Sequence, residues 1–166
     1  MTNSQRLSRW LTSESTLTGG LALALGIAAA LGVWLFKRLI GLAEWTAFEQ
    51  LAPRLVTLHP ALLISVPVLG GLLVGVLKHF FIGEERHHGV TGIMEAVALA
   101  GGRLRYARIP AKAVAAAVSI GFGAATGPED PSVQIGANLG SFFGQKLRLS
   151  DERVRTLVAA GAAGGV

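Results

Sequence analysis

Two long stretches without a formal charge constrain the fold of this chain more than any other feature. Residues 17–36 contain no Lys, Arg, Asp or Glu, and neither do residues 55–77. Twenty helical residues rise about 30 Å, the thickness of the hydrocarbon core of a bilayer. The spacing therefore predicts two transmembrane helices. Pro60 and Pro67 are expected to start and to bend the second, and Gly71 and Gly75 form a small-xxx-small pair expected to let it approach a neighbour closely. Three further apolar runs are shorter. The first covers residues 113–128 and is preceded by Lys112; its sixteen residues would rise about 24 Å. The second covers 132–145 and, at about 21 Å, is too short to span. The last follows Ser150-Asp151-Glu152, an N-cap with an acidic first turn, and is still apolar from Ala159 to Val166 where the sequence stops. The chain is thus read as an all-α membrane protein, truncated at its C-terminus.

Composition agrees with a membrane class. Only 15% of residues are charged and the mean hydropathy is +0.53, against about 25% charged in soluble domains. The 22 glycines suit close packing of transmembrane helices. A net charge of +5 raises nucleic-acid binding, but the charges cluster between apolar runs rather than along one face, which excludes it. There is no cysteine, so disulfides and thiolate metal sites are excluded. His79, His87 and His88 beside Glu84 and Glu85 lack an i, i+4 ligand pair on a clear helix and read as a solvated loop, with no metal. Gly121-x-Gly123 follows no strand and is not a dinucleotide loop, and no catalytic motif is present, so no enzyme and no cofactor are expected.

Residues 1–16 stand apart from residues 17–166. Gln5 to Leu11 puts Leu7, Trp10 and Leu11 on one face and Arg6 and Arg9 on another, which suits either a short interfacial helix or a frayed tail. Arg6 and Arg9 precede the first span; Lys78, Arg86, Arg103, Arg105 and Arg108 follow the second. The positive-inside rule then favours a cytoplasmic N-terminus and a cytoplasmic 78–108 connection, in a bacterial-type inner membrane.

The chemistry lies in two short helices. One is expected to begin near Gly89-Val90-Thr91-Gly92-Ile93-Met94 and to end at Gly101-Gly102; the other begins near Gly127-Pro128-Glu129-Asp130-Pro131. A helix N-terminus leaves backbone N–H groups unpaired and carries about half a positive charge. Within a membrane an anion is a natural partner for such donors, and discontinuous helices meeting near the midplane are a recurrent transporter device.

At these residues the sequence resembles the CLC chloride channel and proton–chloride antiporter family. The family's Gly-Arg/Lys-Glu-Gly-Pro motif, with its Val-Gln-Ile-Gly tail, is matched by Gly127-Pro128-Glu129-Asp130-Pro131 followed by Ser132-Val133-Gln134-Ile135-Gly136. Val90-Thr91-Gly92-Ile93-Met94 stands where the family carries Gly-Ser-Gly-Ile-Pro. The resemblance covers roughly Leu17 to Val166 and implies the N-terminal half of an inverted-repeat fold with half-helices, which would dimerise in a full-length protein. It implies chloride transport as a channel or as an H+/Cl- exchanger, with Glu129 as the gating carboxylate. Thr91, Gly92, Ile93, Pro128, Glu129 and Asp130 would surround the anion, and Lys112 would add positive potential. Chloride or a similar anion, protons and the lipid bilayer are the implied partners.

Three positions depart from the family pattern. Pro128 replaces a basic residue, Asp130 replaces Gly and adds a carboxylate that repels anions unless it points away, and Met94 replaces Pro. Plainer roles stand beside the sharp ones. Thr126-Gly127-Pro128-Glu129 also fits a capping box, Asp130 before Pro131 fits an N-cap, Thr91 fits an N-cap, and Lys112 fits a snorkelling side chain. Gly136, Gly140 and Gly144 read first as a packing stripe. An inert membrane fragment and a broken-helix solute transporter of another family are the competing functions; the Glu129 motif argues against the latter. By the length of the 113–128 run, Glu129 is expected in the outer half of the membrane.

Overall fold

The computed structural model describes residues 14–83 and 89–166. The interfacial helix expected over residues 5–11, and Glu84, Glu85, His87 and His88, lie outside the described residues. Every element among those described is helical. Helix α1 (Glu14–Glu44) continues through a π-helical stretch, Trp45–Leu51, into α2 (Ala52–Leu58). His59 breaks this rod with an extended backbone, and its Nδ1 accepts from the Ala61 N–H at 3.2 Å. A 3-10 turn (Pro60–Ile64), helix α3 (Ser65–Leu77) and a π-helical turn (Lys78–Ile82) follow. Then come α4 (Gly89–Leu99), a 3-10 turn (Tyr106–Arg108), α5 (Ile109–Gly121), α6 (Glu129–Lys146) and α7 (Asp151–Gly164).

Two helical segments are long and apolar enough to cross a membrane, Gly19–Leu58 and Pro60–Ile82. Both expected spans are present with shifted limits. The 31 residues of α1 rise about 46 Å, more than a bilayer core, so the helix must tilt to cross it. It runs through Lys37 and Arg38, and the Arg38 guanidinium lies over the Trp34 ring, 5.2 Å from its centroid. Residues 55–58 end the first rod rather than begin the second, because Pro60 lacks the N–H that would continue the helix.

Sidedness is clear along α1. Leu25, Ala29 and Phe36 are buried, whereas Leu23, Ile27, Leu31, Trp34 and Leu35 are more than half exposed. The exposed stripe is apolar, as a lipid-facing surface must be. The buried stripe packs across α5, α6 and α7, and Phe36 joins Ala117 of α5 and Ile135 of α6 in one core cluster. A second cluster joins Ile93 of α4 to Ala137 of α6 and to Val154 and Val158 of α7.

The tightest pair is the α6–α7 hairpin, and it is made by the predicted glycine stripe. A Cβ on Gly136 would fall on the carbonyl oxygen of Gly161, one on Gly140 on that of Leu157, and one on Gly144 against Val154. Rising numbers on α6 meet falling numbers on α7, so the helices are antiparallel with their backbones nearly touching. The expected contact at Gly71 and Gly75 is absent within the described residues: a Cβ on either would meet nothing within 4 Å. The close approach in α3 is one residue earlier, where Gly70 accommodates the Phe122 side chain. Ser150 takes the N-cap position of α7 but makes no side-chain cap hydrogen bond.

Candidate anion site

Helices α4 and α6 both begin where the sequence predicts. Gly89 opens α4 with φ +73°, a left-handed conformation that L side chains adopt at a cost of about 1–2 kcal/mol. The α-helical register leaves the N–H groups of Gly89, Val90 and Thr91 without intrahelical acceptors. Pro128 is the N-cap of α6, with no side-chain cap bond. The capping box is therefore not formed: Glu129 is the first helical residue instead of the third, and Thr126 lies outside the helix. Neither is Asp130 the cap, since it stands at the second helical position. Pro128 and Pro131 have no N–H to give, and the Ser132 N–H donates to the Pro128 carbonyl at 3.0 Å. The α6 N-terminus thus offers two backbone donors, those of Glu129 and Asp130.

Asp130 ties the two N-termini together. Its Oδ1 accepts from the Val90 N–H at 3.0 Å, and its Oδ2 accepts from Nε2 of Gln134 at 2.8 Å. A Cβ on Gly89 would come within 3.1 and 3.2 Å of the two carboxylate oxygens, so glycine serves both the turn and the approach of the carboxylate. The adjacent Glu129 is exposed. Its carboxylate folds back over Gly127, where a Cβ would overlap Oε2.

Two adjoining cavities flank this junction, and both are lined by Gly89, Ile109, Lys112 and Gln134. The smaller, about 330 Å³, also meets Asp130, Lys78 and Ala116. The larger, about 940 Å³, meets Arg103, Arg105 and Arg108, with Glu95 as its one acidic side chain. Arg103 pairs with Asp151 at 2.8 Å, and Nη1 of Arg108 donates to the Ile82 carbonyl at 2.6 Å. Lys112 is half-buried in the first turns of α5. Basic side chains outnumber acidic ones in the two linings, with Asp130 and Glu95 against Lys78, Lys112, Arg103, Arg105 and Arg108.

The 113–128 run does not form one continuous helix. Helix α5 stops at Gly121, with Gly123 at φ +97°, and residues 122–128 do not continue the rise. Asp130 shares a cavity wall with Lys112, Ala113 and Ala116. A Gly-x-Gly at 121–123 is the sequence signal for that stop.

The remaining expected residues fall around the α4 N-terminus. Thr91 is exposed at the third position of α4, Gly92 is half-buried, and Ile93 is buried with its side chain in the core. Gln134 was not singled out from the sequence, although its i+4 spacing from Asp130 on a helix carries the signal. Nor was Ser141. Fully buried, it accepts from the Leu104 N–H at 2.8 Å and donates to the Gly102 carbonyl at 2.7 Å. It thereby pins the chain that follows α4.

Residues 70–166 match the model of the voltage gated chloride channel family. The chain belongs to that family. The match takes in both helix N-termini, the two cavities and the α6–α7 hairpin. Among curated proteins, a ClcB-like protein of Ralstonia nicotianae is 32% identical over 149 residues, 86% of this chain and 35% of its own length. The chloride channel protein CLC-f of Arabidopsis thaliana is 35% identical over 133 residues, 75% of this chain and 15% of its own. The voltage-gated ClC-type chloride channel ClcB of Yersinia pestis is 30% identical over 152 residues, 88% of this chain and 36% of its own. The chain spans about a third of the length of the bacterial relatives and less of the plant one. No solved structure matches it.

Proposed function

We propose that this chain forms one side of an anion pathway in a chloride-transporting membrane protein, working as a channel or as a proton–chloride exchanger rather than as an enzyme. One observation carries the reading. The N-termini of α4 and α6 meet, through Asp130 and the Val90 N–H, beside a cavity lined by Lys78 and Lys112. Helix N-termini and lysines both favour negative charge, and a carboxylate already accepts a hydrogen bond there. The names of the curated relatives support chloride as the anion.

In this reading Thr91 offers its hydroxyl to the anion near the start of α4, and Glu129 is the gate. Ionised, its carboxylate competes with the anion for the N–H groups of Glu129 and Asp130; protonated, it loses its charge and releases them. Lys112 adds positive potential. The apolar outer stripe of α1 faces lipid of a bacterial-type inner membrane, with the N-terminus in the cytoplasm. The intact protein assembles as a homodimer, and its other half completes the pathway.

The test is chloride efflux from liposomes carrying the purified intact protein. The reading expects efflux above protein-free liposomes. An absence of flux for chloride, nitrate and fluoride alike would overturn it.

A further inference from the structure

We infer that the loop after α4 and the turn between α6 and α7 form one docking surface for the headgroups of anionic phospholipids, in the leaflet that borders this end of the fold. The inference needs only a membrane setting and goes beyond the anion-pathway reading without resting on it. Residues 100–108 and 146–155 carry seven Lys and Arg against two acidic residues, Asp151 and Glu152. That excess of five equals the net charge of +5 of the whole chain. The two segments are distant in sequence and packed together in space. Arg103 pairs with Asp151 at 2.8 Å, so one of the two acids is already matched. Nε2 of Gln145 donates to the Leu104 carbonyl at 3.0 Å, and the Tyr106 and Phe142 rings meet edge to face at 5.0 Å. Nη1 of Arg108 donates to the carbonyl of Ile82, the last residue of the second segment able to cross a membrane. The basic loop is thus fastened to the end of a membrane helix, where hydrocarbon gives way to headgroups.

Two further features point to lipid. The first is apolar surface among the charges: Leu99 and Leu147 are at least half exposed, and Tyr106 is exposed beside them. Aromatic and aliphatic side chains next to basic ones suit the boundary between headgroups and acyl chains. A polyanion in solution would answer the charges but leave these side chains in water. The second is the backbone of Arg148, which has φ +52°. The Arg148 N–H donates to the Gln145 carbonyl at 3.1 Å and the Leu149 N–H to the Gly144 carbonyl at 3.0 Å. In this way of ending a helix the left-handed residue is usually glycine. The negative end of the α6 dipole favours a cation, yet Lys146 already stands in that last turn. A partner outside the helix accounts for an arginine here, and a phosphodiester is one whose oxygens a guanidinium bonds in pairs. Arg105, Lys146 and Arg155 are exposed at the same end.

The test uses the intact protein in detergent, titrated with mixed micelles that contain phosphatidylglycerol or phosphatidylcholine. Bound lipid is counted by native mass spectrometry, and the thermal midpoint is followed in parallel. The wild type should bind phosphatidylglycerol more tightly than phosphatidylcholine, with a preference that fades as salt is added. Arg105→Gln and Arg148→Gly should each weaken phosphatidylglycerol binding about fivefold and leave phosphatidylcholine binding unchanged. Arg148→Lys keeps the charge and should bind nearly as the wild type does. In phosphatidylcholine, Arg148→Gly should unfold no earlier than the wild type, because glycine suits the left-handed turn. Lys37→Gln removes an exposed charge of α1, outside the two segments, and should change neither readout. Equal binding of the two lipids by the wild type overturns the inference. So does wild-type phosphatidylglycerol affinity in the Arg105→Gln, Arg148→Gly double variant, or an equal loss in Lys37→Gln. Inorganic phosphate that raises the wild-type midpoint as much as phosphatidylglycerol overturns it too, in favour of a soluble anion. Chloride flux is not read in any arm, so its absence would remove the transport reading and leave this one to be decided by lipid binding.

Discussion

Replacing Gly136 by alanine should force α6 and α7 apart, whereas the same replacement at Gly71 should stabilise the protein. The magnitudes follow from what each new methyl would meet. On Gly136 a Cβ would fall on the Gly161 carbonyl oxygen and close to the Gly165 nitrogen, all backbone atoms of the facing chain. Overpacking costs about 1–3 kcal/mol where side chains can yield. Backbone cannot swing aside, so the upper figure of about 3 kcal/mol applies. Alanine recovers up to about 1 kcal/mol of helix propensity, leaving a net loss of about 2 kcal/mol. On Gly71 a Cβ would meet nothing within 4 Å, and only the propensity gain of about 0.5–1 kcal/mol remains. Thermal unfolding in detergent should separate the two variants by about 3 kcal/mol in opposite directions. Because α6 carries Glu129 and Asp130, Gly136→Ala should also disturb the site while Gly71→Ala leaves it alone. Equal stability of the two variants would refute the backbone-contact argument.

Two further outcomes are expected. Ser141→Ala removes the partner of the Leu104 N–H and of the Gly102 carbonyl; unfolding should show a loss of about 3 kcal/mol, with faster amide exchange confined first to residues 101–105. Thr91→Val removes the hydroxyl at nearly constant volume, and Thr91→Ser keeps it. The chloride-to-nitrate permeability ratio of the intact protein should move in the first, by at most roughly fivefold, the full worth of one hydrogen bond, and stay near wild type in the second.

The features that were legible in the sequence are those set by local chemistry. Charge-free runs gave both membrane segments, and acidic residues before apolar ones marked the start of α7. The four-residue glycine period at 136, 140 and 144 marked the face on which α7 lies. Limits were less legible, because a helix continues past Lys37 and Arg38 where an aromatic ring and an interface can take their charge. Contacts between distant elements were the least legible. Spacing favoured Gly71 and Gly75, yet the neighbour arrives at Gly70, since the position of Phe122 depends on where α5 stops. In the same way Asp130 reads locally as a cap for its own helix, and only the packing of α4 beside α6 turns it toward Val90.

Glu129 is the proposed gate of an anion pathway at this junction. Its most direct test is chloride flux and proton flux measured together in liposomes carrying the intact protein, wild type against Glu129→Gln, from about pH 4 to about pH 8 outside. Glutamine has no charge at any of these pH values, so the account predicts chloride flux that no longer responds to external pH, and loss of any proton coupling. A Glu129→Gln variant that keeps the wild-type pH profile would contradict it.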